Sequence, residues 1–224
     1  MKLALFGANG MAGTQIAKEA LMRGHDLTAI VRDPARFSLS GDSLQDSFAS
    51  RLTVVVGNVL DPISVAEIVK GHDAVISAAG PGNATANNPD LALIIPQAAH
   101  SLIAGLTVAG VSRLVVVGGA GSLFVAPGMQ LVDTPDFPAQ YRPASLAHRE
   151  ALGIYEQADL DWTFISPAAI FMSGDRTGKF RVGTDELLVD EHGESRISAE
   201  DYAIALLDEV EKPQYIRRRM TVAY

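Results

Sequence analysis

A chain of 224 residues is long enough for one α/β domain with a sizeable core, and 48% hydrophobic against 20% charged residues is a globular balance. It contains no cysteine, which excludes disulfides and thiol catalysis and fits a reducing, cytoplasmic compartment. A formal charge of −8 opposes nonspecific nucleic-acid binding, and no apolar run free of polar or glycine residues is long enough to cross a bilayer, so neither partner is expected.

The first element is an apolar run, Leu3 to Phe6, directly after Met1-Lys2; a cleavable leader here would take part of the core with it. Gly7-Ala8-Asn9-Gly10-Met11-Ala12-Gly13 follows and opens a helical segment from Met11 to Arg23 that stops at Gly24. Strand, glycine turn and helix is the setting in which a Gly-rich turn holds phosphate. Gly7 permits the sharp turn, Gly10 lets backbone N–H groups approach a pyrophosphate, and Gly13 lets the helix pack on the sheet. The helix start adds unpaired N–H donors, so Gly7, Asn9, Gly10, Met11 and Ala12 are the first cofactor-binding candidates.

Continuous apolar runs recur at Leu27–Val31, Val54–Val56, Ala74–Ile76, Leu114–Val117 and Trp162–Ile165, the pattern of parallel strands covered on both faces. Glycines at 24, 71 and 110 read as helix C-caps; Asp61-Pro62, Asn88-Pro89 and Ser198-Ala199-Glu200-Asp201 read as helix starts. Six such strand–helix units predict a single Rossmann-type, doubly wound parallel sheet over residues 1–224, in the order 3-2-1-4-5-6. Residues 170–224 would add a small substrate-side elaboration with the last helix and strand. The polar stretch Ser38–Ser50 reads as a surface loop with a short helix, the proline-rich Leu123–Pro143 as a loop or lid over the site, and Ser173–Ile197 as a second substrate-side segment. Arg217-Arg218-Arg219 reads as a solvated strand edge.

The strand ends carry the remaining candidates. Arg32, 19 residues after Gly13, could grip a 2′-phosphate and stack on adenine, which favours NADP(H) over NAD(H), although the adjacent Asp33 could accept from a ribose hydroxyl. Asn58, with Val59 beside it, is placed for adenine, or equally for a turn. Ala78, Ala79 and Gly80 leave room for ribose and diphosphate, and Gly118 ends the fifth strand.

The chain resembles the atypical short-chain dehydrogenase/reductase families, in particular the NmrA-like and NADH-flavin-reductase-like groups. The resemblance rests on the glycine turn, Val31-Arg32-Asp33-Pro34, Asp73–Ala78, Leu160–Pro167 and Ile197–Ala203, and extends from Met1 to Tyr224. It implies an NAD(P)-binding fold and a reductase, in a group that also holds catalytically inert sensors. None of the five tyrosines has the lysine four residues on that the wider superfamily uses as an acid/base pair. Without a proton donor for a carbonyl substrate, the implied reaction is hydride transfer to a flavin or quinone-like ring, for which solvent can supply the proton. The small aromatic acceptor, with flavin as a substrate, is then the expected partner; Gly-rich ends of the fourth and fifth strands would leave it an open face, with Pro167 and Ala168 on the nicotinamide side and Phe171, Phe124 or Tyr141 flanking the ring. His148 and Tyr141 are the catalytic candidates, and no metal-ligand spacing is present. Two alternatives stand beside this reading: an NADP(H)-sensing regulator without turnover, and a nucleotide-sugar epimerase or dehydratase, which the missing pair argues against. Self-association as a homodimer stays open.

Overall fold

The structure, a computed structural model, describes residues 1–39, 48–81, 84 and 88–224. Most of the expected 38–50 loop therefore lies outside the described residues.

Alternation of strand and helix follows the reading of the chain. It runs through β1 (Lys2–Phe6), α1 (Met11–Met22), β2 (Asp26–Val31), β3 (Leu52–Val56), α2 (Pro62–Val69), β4 (Ala74–Ser77), α3 (Ile94–Ala109) and β5 (Arg113–Val117). A small hairpin, β6 (Phe124–Ala126) and β7 (Met129–Gln130), precedes α4 (Arg142–Glu156) and β8 (Asp161–Ser166). The C-terminal part holds β9 (Ile170–Met172), β10 (Arg181–Gly183), β11 (Arg196–Ser198), α5 (Ala199–Glu211) and β12 (Arg218–Ala223). Among the described residues the main sheet is ordered β10-β12-β8-β5-β4-β1-β2-β3, parallel throughout except for β10 against β12. The expected 3-2-1-4-5-6 order is therefore present as β3-β2-β1-β4-β5-β8, extended by a seventh parallel strand and an antiparallel edge strand.

Each face of the sheet has its own core. One packs Leu3, Leu5, Ile16, Leu21, Leu206 and Val222 under α1 and α5. The other packs Phe6, Val75, Leu102, Leu106, Leu114 and Phe164 under α2, α3 and α4. Alternate residues of a strand such as β1 serve opposite cores, which is why the strand sequences are apolar without interruption. The run Pro89–Ala109 has the length and apolarity of a membrane span, but Ile95, Ala98, Ala99, Leu102 and Leu106 are buried against the sheet, as in a core helix. Gly110 takes φ 70° as the left-handed cap that ends α3.

Two expectations change. Arg219 is not on a solvated edge: β12 lies inside the sheet, and the Arg219 guanidinium is buried against the Ser122 carbonyl and hydroxyl and the Asp185 carboxylate. The segment 123–143 is not an open loop either. Its hairpin and short 3-10 turns are held by Arg142 on the Val132 carbonyl (2.7 Å), by Arg149 on Asp133 (3.0 Å), and by the Phe124 N–H on the Asp185 carbonyl (2.8 Å).

Candidate dinucleotide site

At the carboxyl end of β1 the three glycines of the turn divide into two kinds. Gly7 has φ 77°, and a Cβ there would sit 2.5 Å from the Ala78 carbonyl oxygen; on Gly13 it would lie 2.1 Å from the Gly7 oxygen. Both are required by the protein's own packing. Gly10 has an ordinary extended conformation, φ −78° and ψ 168°, and a Cβ would meet only the Gly7 oxygen at 3.4 Å. Internal packing gives a weak reason for glycine there, whereas the close approach of a ligand gives a strong one.

The start of α1 matches. Its N-cap is Gly10, without a side-chain hydrogen bond and without an acidic residue in the first turn. Two other helices are closed by side chains: Asp61 accepts from the Ile63 N–H (3.0 Å) at α2, and Ser198 from the Asp201 N–H (3.0 Å) at α5, whereas α3 and α4 have no side-chain cap and continue directly from 3-10 turns. At α1 the amides of Met11 and Ala12 make no hydrogen bond among the described residues, and the positive end of the helix dipole lies at this terminus. This is the chemistry of an anion cradle, and it fits a dinucleotide diphosphate.

Beside it lies a cleft of about 260 Å³ at the carboxyl ends of β1 to β4, where the strand order reverses. Gly7, Asn9, Arg32, Asn58, Val59, Ala79 and Gly80 line it. Ala78 stands just behind, its N–H on the Phe6 carbonyl. Gly118, Pro167 and Ala168 continue along the same sheet edge at the ends of β5 and β8, where Pro167 and Ala168 are buried. Ile30, Leu91 and Ile94 form an apolar wall that the sequence reading missed. Leu91 and Ile94 belong to the first turns after Asn88-Pro89, where a helix start was legible but its proximity to β2 was not.

Arg32 is exposed at the cleft and forms no ion pair among the described residues. Asp33, the complication in its reading, caps the 3-10 turn Pro34–Arg36 by accepting from the Ala35 N–H at 3.1 Å. Asn58 uses its side-chain oxygen within its own turn, on the Leu60 N–H at 3.1 Å.

The sheet edge beyond the cleft corrects the expectation of an open glycine floor. The missing side chains of Gly118, Gly119 and Gly121 are replaced by Phe164, His148 and Ser145, which would stand 2.2, 2.9 and 2.5 Å from added Cβ atoms. Gly118 makes room for Phe164 of β8, and Gly119 and Gly121 let α4 lie down on the end of β5. His148 is half-buried there, and burial pushes its pKa down to about 4, so it is uncharged near neutral pH and does not offer the imidazolium expected of an acid. Tyr141 is exposed at the N-cap of α4. Phe171 packs on Tyr202 with ring centres 4.8 Å apart and belongs to the core. Tyr202 itself is buried with its hydroxyl on the Ile165 carbonyl (2.7 Å), and burial raises its pKa, as it does for Tyr155.

A doubly wound sheet with an uncapped, glycine-bounded helix start at its switch point defines a dinucleotide-binding protein of the Rossmann type. The chain belongs to a family described as NAD(P)H-binding, which matches residues 7–213. Three solved structures resemble it over its whole length. A Burkholderia pseudomallei protein with the provisional name of an exported protein is 47% identical, with TM-score 0.85 and 100% of both chains covered. A Bacteroides thetaiotaomicron protein provisionally named an epimerase is 39% identical, with TM-score 0.87 and 100% and 96% covered. A Streptococcus pneumoniae protein provisionally named an NADH-flavin reductase is 34% identical, with TM-score 0.83 and 100% and 99% covered. The resemblance to atypical, NmrA-like short-chain dehydrogenase/reductases stands on these matches.

Proposed function

We propose that the protein is an NADPH-dependent reductase that delivers hydride to a flavin or quinone-like ring. The observation that carries the reading is the anion cradle at α1 joined to a sheet edge without a Tyr-Lys pair. When bound, a reduced nicotinamide supplies the hydride. The chain's part is to hold the diphosphate on the Met11 and Ala12 amides, to seat the adenosine half between Ile30 and Ile94, and to keep water from the far end. Oxidation of NADPH with FMN, riboflavin or menadione tests it; turnover no faster than a buffer blank with all three counts against it.

The preference for NADP(H) rests on Arg32, whose exposed guanidinium stands at the adenosine end of the cleft while Asp33 is engaged in its cap. Replacing Arg32 with alanine is expected to weaken NADPH binding roughly tenfold or more and NADH binding little. Equal losses for both would assign Arg32 no role in cofactor choice. The second reading, a sensor that binds NADP(H) without turnover, draws on the same missing pair; tight binding with no reductase activity and a co-purifying protein would favour it. An epimerase, the name of one relative, would need an acid/base at the sugar, and the described tyrosines do not provide one with a lysine partner. A cytoplasmic site of action is the reading that a cysteine-free chain favours.

A further inference from the structure

His148 packs at the carboxyl end of β5, and its two ring nitrogens have unlike surroundings. Nδ1 is sealed from solvent with no hydrogen-bond partner. The ring lines a small cavity with Ser77, Val116, Tyr155 and Phe164, and meets Phe164 edge to face with centres 6.3 Å apart. Its Cβ, Cγ and Cδ2 atoms lie against the space of the missing Gly119 side chain. Nε2, by contrast, is not sealed in this way and forms no hydrogen bond among the described residues, so it is the ring nitrogen open to a ligand.

We propose that His148 is a fixed, uncharged hydrogen-bond donor whose Nε2–H receives the ring carbonyl oxygen of the flavin or quinone acceptor. This rests on the reductase reading above. An N–H sealed without an acceptor costs more than a lone pair in the same place, so the single proton belongs on Nε2. The other titratable side chain lining the cavity, Tyr155, stays protonated because burial raises its pKa, and among the described residues no carboxylate from β4, β5, β8 or α3 lines it. The imidazole accordingly stays neutral near pH 7. As hydride forms a new bond on the acceptor ring, the displaced electron pair moves onto the ring oxygen. His148 stabilises that charge without surrendering its proton, and water supplies the proton that completes reduction.

The test uses the full chain labelled with ¹⁵N-histidine, with the His148 signals assigned by their loss in His148→Gln. Expected are a neutral Nε2–H tautomer from pH 5.5 to 8.5 and a shift of Nε2 on adding menadione with NADP⁺. With menadione and NADPH, kcat should show no inflection near pH 6.5. His148→Leu should lower kcat on the order of 100-fold with NADPH affinity unchanged, and His148→Gln should stay within about tenfold of wild type. An Nδ1–H tautomer, titration near 6.5, an unmoved Nε2 signal, or an unaltered kcat in His148→Leu overturns the assignment. A wild-type protein that shows the tautomer and the shift but oxidises no NADPH keeps the hydrogen bond and removes the reductase reading.

Discussion

Gly10 and Gly7 are the same residue type three positions apart, and the structure separates their reasons. A methyl group on Gly10 meets only one oxygen, at 3.4 Å, so Gly10→Ala should fold with a thermal midpoint within a few degrees of wild type while binding NADPH on the order of tenfold more weakly. Gly7→Ala combines φ 77° with a 2.5 Å clash on the Ala78 backbone and should destabilise by about 3 kcal/mol or more, read from denaturant midpoints. If Gly10→Ala bound NADPH normally, the diphosphate would have to sit elsewhere. The spacing of the triplet was plain in the sequence. So was the division of labour, with Gly10 assigned to the ligand and Gly7 and Gly13 to the turn and the packing; the Ala78 backbone that Gly7 must clear was not, because that depends on where β4 passes behind the turn.

At the level of elements, the strands and helix ends were legible because each leaves a local signature: apolar runs for strands buried on both faces, and Asp61, Ser198 and Gly110 at helix ends. What escaped was how elements distant in sequence fill one another's gaps. Gly118, Gly119 and Gly121 read as an open floor, and only the folded chain shows Phe164, His148 and Ser145 lying in it. Arg219 escaped for the same reason, since Asp185 and Ser122 are remote along the chain. The join of α5 to the sheet is another such case. Glu209 is buried and accepts from Arg113 (2.9 Å), the Thr163 hydroxyl (3.0 Å) and the Gln214 and Tyr215 amides (2.8 and 3.1 Å). Glu209→Ala would leave a buried guanidinium without its counter-ion, and a loss of about 3–5 kcal/mol in unfolding free energy is expected by chemical denaturation. A loss under about 1 kcal/mol would show that water reaches Arg113 readily.

For the molecule as a whole, the buried bases set the response to acid. Burial depresses the pKa of His148 to about 4, and burial also depresses that of His72, whose ring bonds Thr28 (2.8 Å) and the Val69 carbonyl (3.1 Å). Between pH 6.5 and about 4 the unfolded chain binds protons that the folded chain refuses, so stability is full above 6.5 and falls as the pH drops through this window. His148 alone can account for up to about 3 kcal/mol of that fall. Glu19 adds to it lower down: burial opposes its ionisation, but bonds from Arg176 and Arg23 outweigh burial and hold its pKa below 4.5, so its contribution fades as the pH falls through that lower value. Urea unfolding from pH 7.5 to 4.5 should show the decline, and His148→Leu should flatten it; an unchanged slope in that variant would place the proton uptake elsewhere.

The glycine turn and the cleft lie at the carboxyl ends of the strands, whereas Arg113 with Glu209, and His72 with Thr28, pin the opposite rim. Side-chain ion pairing anchors the lower rim, while the upper one is held by glycines that leave its exposed side chains to the ligand. A laboratory that wished to retune this scaffold toward another acceptor would vary exposed upper-rim residues such as Arg32 and Tyr141 and leave Gly7, Gly13, Gly118, Gly119 and Gly121 alone.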